Sequence, residues 1–187
     1  MNNDIYQIKI ELKHSKPKIW RKVLMPSNMG LEDLHYIIQK VMGWENCHLH
    51  QFMKNNAFYL PEEEVEDAGS FSMRNVVDYT DVLISTVLVN VKDKIIYEYD
   101  FGDSWEHQVT LEKILPYDSS KMYPLCIKGK NACPPEDCGG IWAYYNILET
   151  LNNSKHEDYE DYTEWYGNID PEKFDLDEIN ARLNWKS

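Results

Sequence analysis

Ile5–Leu12 alternates. Ile8, Ile10 and Leu12 fall on one face and Gln7, Lys9 and Glu11 on the other, which predicts a strand covered on one side. Ser15-Lys16-Pro17 marks a turn, and Ile19–Met25 reads as a second strand that Pro26 ends. From Leu31 to Met42 the period lengthens. Leu31, Leu34, Ile38 and Val41 recur along one helical stripe with Ile37 beside them, and Gly43 supplies a stop.

His48–Leu60 predicts a hairpin around Lys54-Asn55-Asn56, because Asn tolerates the left-handed turn conformation. Pro61–Ser72 is acidic and aperiodic, and reads as a mobile loop. Asp81–Val89 reads as a short helix. Ile95–Tyr99 and Glu106–Ile114 are strands joined by the Asp100–Ser104 turn. Pro116–Gly140, rich in Pro, Cys and Gly, reads as an irregular crossing. A helix is expected at Ile141–Leu151, with Trp142, Tyr145, Leu148 and Leu151 in register. Two more are expected at Tyr159–Gly167 and Asp175–Asn184, the last with Leu176, Ile179 and Leu183 as its apolar side.

Strand pairs punctuated by helices, followed by helices, make an α+β pattern with a mostly antiparallel sheet of hairpins and about four or five helices. The expectation is a single domain over residues 1–187, with 153–187 an acidic helical C-terminal extension.

Charge narrows the partners. Lys and Arg number 19 against 32 Asp and Glu, a net charge of −13. Phosphate backbones are bound by cations that displace condensed counterions, so nucleic acid is disfavoured. A protein or small-molecule partner is left. The N-terminus, Met1-Asn2-Asn3-Asp4, carries no basic and apolar leader pattern. Val82–Val91 is broken by Ser85, Thr86 and Asn90 and is far short of the ~20 residues of a membrane span. A cytoplasmic location is expected, with the four cysteines as thiols or ligands.

Four segments could carry chemistry. Cys126, Cys133 and Cys138 are spaced C-x6-C-x4-C, and three thiolates on one loop could supply most of a tetrahedral zinc site. Buried, inert thiols are the plainer reading. His48-Leu49-His50 puts two imidazoles on one face if the segment is a strand. The plainer reading packs them against aromatics. Tyr97–His107 crowds carboxylates, a glycine and an imidazole into one turn. There Asp103 and His107 could form an acid/base pair, or His107 could be a core histidine held by Asp100 or Asp103. Pro134–Gly140 leads into a helix, which Asp137 is expected to cap.

Tyr97–His107, as Y-x-Y-D-F-G-D-x-W-x-H, and Cys126 with Cys133-Pro-Pro-Glu-Asp-Cys138-Gly-Gly resemble the two signatures of the root-inducing-plasmid (pRi) ORF-three-like family. Ile19-Trp20-Arg21, Met42-Gly43-Trp44 and His48-Leu49-His50-x-Phe52 fit as well. The resemblance covers roughly Ile5 to Leu151. It implies an α+β fold in a family of bacteria and archaea often found on plasmids or near mobile elements, some members carrying a resolvase label. Clustered arginines are what strand exchange would require. The three present, Arg21, Arg74 and Arg182, are scattered in sequence, which speaks against it.

The reading that results is a binding or interaction module with a structural metal at Cys126, Cys133 and Cys138, zinc being the metal such a loop would take. Its expected binding surface is His48, His50, Asp100, Trp105 and Asp137, where Asp100–His107, His48/His50 and Cys126–Gly140 are expected to converge, with Trp44, Trp105 and Trp142 as apolar walls. The alternative is a metal-assisted hydrolase in which Asp103, His107 and Glu136 move protons. A DNA-accessory role for a mobile element is a third reading.

Overall fold

The computed structural model describes residues 4–69 and 75–184. Among these residues eight strands form one sheet: β1 (Ile5–Leu12), β2 (Trp20–Pro26), β3 (His50–Lys54), β4 (Ala57–Leu60), β5 (Asn75–Asp78), β6 (Lys94–Tyr99), β7 (Trp105–Leu115) and β8 (Leu125–Lys130). Their order is β5-β4-β3-β6-β7-β1-β2-β8, antiparallel throughout except between β4 and β5. Six helices accompany it among the described residues: α1 (Leu31–Met42), α2 (Glu62–Gly69), α3 (Ile84–Val87), α4 (Gly140–Leu151), α5 (Tyr159–Tyr166) and α6 (Leu176–Asn184). The fold is α+β, with one more helix than the upper expectation.

The alternation read in β1, which β7 repeats, decides which face of the sheet is covered. Ile8, Ile10, Leu12, His107, Val109 and Leu111 are buried. The opposite face carries ion pairs instead, such as Lys22 with Glu112 at 2.7 Å and Lys13 with Glu106 at 2.6 Å. Cross-strand charges of this kind let an antiparallel sheet meet water on one side.

α1 covers the other side with its predicted stripe, Leu31, Leu34, Ile37, Ile38 and Val41. The Asp33 carboxylate accepts from the Gly30 N–H at 2.8 Å at its start. Gly43, at φ 94°, ends it in the left-handed conformation that a Cβ would disfavour. α6 packs against α1 and β8, and buries Ile179 and Leu183 in the same core.

Several expectations are corrected. The acidic stretch expected as a loop contains α2, while residues 70–72 of it lie outside the described residues. β8 sits inside the stretch read as an irregular crossing, paired with β2 along an edge. β5 is a further strand, and the helix expected at Asp81–Val89 is one turn. Both missed strands are sheet edges, where half the backbone is unpaired and hydrophobic alternation is weak. Among the described residues no helix is long and apolar enough to cross a membrane.

Candidate functional site

The β6–β7 connection is a tight turn. Asp100 at φ 55° folds its carboxylate back over the chain and accepts from the Gly102 N–H at 2.9 Å. This leaves the other side of Asp100 aimed at the segment before β3. The loop after β8 comes to the same place. Asp103 Oδ2 accepts from the Gly139 N–H at 2.9 Å and fastens Cys138-Gly139-Gly140 onto the turn.

His48 stands between the two. Its Nε2 lies 2.9 Å from Asp137 Oδ1, 3.8 Å from Asp100 Oδ2 and 4.0 Å from Glu136 Oε2. The last two are beyond hydrogen-bond distance, and Nε2 is a buried atom without a hydrogen bond. Glu136 Oε2 is in the same condition. The other oxygen of Glu136 is occupied: it accepts from the Glu45 N–H at 2.8 Å and from the Tyr99 hydroxyl at 3.1 Å. Burial, with Cys47 and Glu136 alongside, raises the Tyr99 phenol well above its ordinary range, so it remains a donor.

The potential ligands within 4.8 Å of one another among the described residues form two overlapping groups. They are Cys47, His48 and Glu136, and His48, Asp100 and Asp137. His48 is common to both. One imidazole nitrogen, three carboxylates and a thiol are the donor types of a borderline divalent cation. A cleft of about 350 Å³ opens beside His48, lined also by His50, Tyr36, Tyr79, Glu32 and Glu64. Glu64 is pushed up to about 7 by burial and then by Glu63.

The family model described as "Plasmid pRiA4b ORF-3-like protein" matches residues 4–178. The chain belongs to the pRiA4b ORF-3-like family. The match runs past Leu151, where the motif resemblance stops, and takes in α5 and the start of α6. An uncharacterized protein of Sinorhizobium fredii, y4hQ, is 36% identical over 167 residues, 89% of this chain and 82% of that one. The crystal structure of a protein of unknown function from Methanosarcina mazei Go1, MM3350, superposes with a TM-score of 0.84 at 38% identity. It covers 95% of this chain and 98% of that one.

In this pRiA4b ORF-3-like chain the two signature motifs therefore meet in space, and His48 joins them. Other predicted residues lie elsewhere. His50 is buried in β3, stacked on His35 at 3.6 Å and bonded to the Tyr79 hydroxyl at 2.6 Å. His48 precedes the strand, so the shared-face geometry expected of the pair does not apply, although both rings border the cleft.

Trp105 is a core side chain at 1% exposure, not part of a surface. His107 is fully buried, and its Nδ1 sits 2.9 Å from the Trp105 carbonyl rather than on Asp100 or Asp103. Burial lowers it to about 3, so it is held neutral. Asp103 accepts from Gly139, and neither ring nitrogen of His107 bonds to it. Asp137 does not cap α4: the N-cap is Gly139, without a side-chain bond. Trp142 is 78% exposed, while Trp44 is buried and stacks on Tyr99 at 5.1 Å.

Cys126, Cys133 and Cys138 are not one of the close ligand groups among the described residues. Burial raises all three thiols, Cys138 to about 12. Cys47 and Tyr99 were missed. Cys47 stands beside His48 in sequence, which is a signal of sorts; Tyr99 lies within the Tyr97–His107 signature, but on its own it reads as an ordinary core aromatic of β6.

Proposed function

We propose that this domain is a metal-dependent binding module whose divalent cation is held by His48, Asp100, Glu136 and Asp137, with Cys47 at its edge. The observation that carries the reading is His48 Nε2: a buried nitrogen that faces three carboxylates and makes no hydrogen bond to any of them. A hydrogen bond needs a proton aimed along the line between the heavy atoms. A cation needs only lone pairs, from the nitrogen and from the oxygens, and it would relieve the buried Glu136 Oε2 as well. This donor set is favoured over the cysteine loop, whose three thiols do not form a close ligand group among the described residues.

The second reading, metal-assisted hydrolysis, is favoured by one feature. The Asp137 side chain is 71% exposed, so the centre is open on one side. Catalytic metal sites keep such a position for water, whereas structural sites close. In that reading Glu136, bonded to the Tyr99 hydroxyl, is the proton-handling group, and His107 has no part.

Elemental mass spectrometry of purified protein, followed by titration with zinc, manganese and cobalt, tests the proposal. Roughly one equivalent bound at saturation is expected, falling away in His48→Ala and Asp100→Asn. No saturable binding would overturn it. So would binding that survives His48→Ala but is lost in a Cys133→Ser, Cys138→Ser variant.

A further inference from the structure

A cleft of about 220 Å³ lies where α6 meets α1 and the loop after β8. Arg21, Lys173, Phe174, Glu178 and Arg182 line it. Arg21 is the unusual member. It is 3% exposed, lies near the start of β2, and has no ion-pair partner among the described residues. A guanidinium cannot shed its proton to escape burial, so its charge must be answered locally.

The answer is incomplete. Nε donates to the Val41 carbonyl at 3.0 Å, and Nη1 donates to the Trp20 and Lys130 carbonyls at 2.9 and 3.0 Å. Nη2 has no partner among the described residues. The fully buried side-chain atoms left without one are His48 Nε2, Trp105 Nε1, His107 Nε2, Glu136 Oε2 and Tyr144 Oη. Nη2 is not one of them, so it is not fully buried, and Arg21 lines the cleft.

The surroundings hold Arg21 in this pose. The Phe174 ring lies 5.1 Å from the guanidinium carbon. Gly129 makes room for that stack, since a Cβ there would collide with the Phe174 ring and come within 2.9 Å of Arg21 Cδ. Arg182 enters from α6 over Gly43, where a Cβ would sit 2.6 Å from its Nη1. The acids at hand are engaged. Glu178 pairs with Lys173 at 3.2 Å and with Arg182, and Asp175 accepts from the Glu178 N–H at 2.9 Å. Three cations against two carboxylates leave one positive charge in a chain of net −13.

We propose that this cleft binds a small oxyanion, a carboxylate or phosphate group, through Arg21 Nη2, Arg182 and Lys173. Charge-assisted bonds from a guanidinium fork suit both groups. The cleft is smaller than the roughly 300–1,000 Å³ of drug-sized pockets, so the ligand is a small anion or the anionic end of a larger molecule.

The test is calorimetric titration with sodium phosphate, sodium sulfate and sodium malonate, each against sodium chloride at equal ionic strength to remove general screening. It is run on the wild type and on His48→Ala, which separates this cleft from the metal centre. Saturable binding of at least one oxyanion is expected in both. Arg182→Gln, a change at an exposed side chain, is expected to weaken it about tenfold or more, the loss of one hydrogen bond to a charged group. Preference for phosphate or sulfate identifies a phosphate-type ligand, and preference for malonate a carboxylate. No saturable binding beyond chloride overturns the proposal, as does an Arg182→Gln affinity equal to wild type.

Discussion

The carbonyl oxygen of Asp103 occupies the space where a side chain on Gly140 would begin. A Cβ on Gly140 would lie 2.8 Å from it. Gly140 also holds φ +81°, a conformation that L side chains rarely adopt. The close approach, with the Asp103–Gly139 bond, seats Glu136 and Asp137 against His48.

Gly140→Ala is therefore expected to cost about 1–3 kcal/mol of stability, from backbone strain and from the clash. It should also weaken metal binding, because the loop that carries two of the carboxylates must shift. Thermal melts and metal titrations of the variant check both. An unchanged melt would show that the two turns are not held together here.

Low pH should destabilise the fold through its buried histidines. Burial brings His35 to about 4, and His50 and His107 to about 3, from an ordinary 6.5. Below pH 6.5 the unfolded chain takes up protons that the folded chain refuses. Stability is full above that value and is lost as pH falls toward 4, by at most about 1.4 kcal/mol per pH unit for each histidine. Glu64 works the other way, since its carboxyl is raised to about 7 and the folded state keeps a proton that the unfolded state releases. Three well-buried groups outweigh one that is half-buried. Urea midpoints should drop between pH 7.5 and 5.5, and less so in His50→Gln. A midpoint that stays level over that range would contradict the burial.

Leu183→Ala tests whether the C-terminal segment belongs to the domain. Leu183 and Ile179 join the main core from α6. Removing the Leu183 side chain is expected to cost about 2–4 kcal/mol. A loss under half a kilocalorie, the range of surface changes, would make α6 an appendage.

The helix α1 and strands β1, β6 and β7 were legible because each carries an apolar stripe at its own period, and β2 because Pro17 and Pro26 bracket its run. The Asn55-Asn56 turn was legible as well, and both residues adopt positive φ, 50° and 63°. β5 and β8 were not, because an edge strand is stabilised by its one neighbour and little of that shows in its own residues. α2 was hidden by its charge: Glu62, Glu63 and Glu64 suit a first turn but mask any stripe.

The sequence by itself determined the α+β class, the family and the segments that carry unusual chemistry, since those follow from local period and from residue types at short spacing. Tertiary structure alone decided which of those residues face one another. Asp100 and Asp137 meet at His48, Arg182 joins Arg21 across most of the chain, and His107 turns inward with Trp105. Strand order and loop docking are set by burial summed over the whole sheet, and no pair of side chains at such separations leaves a mark in its own neighbourhood.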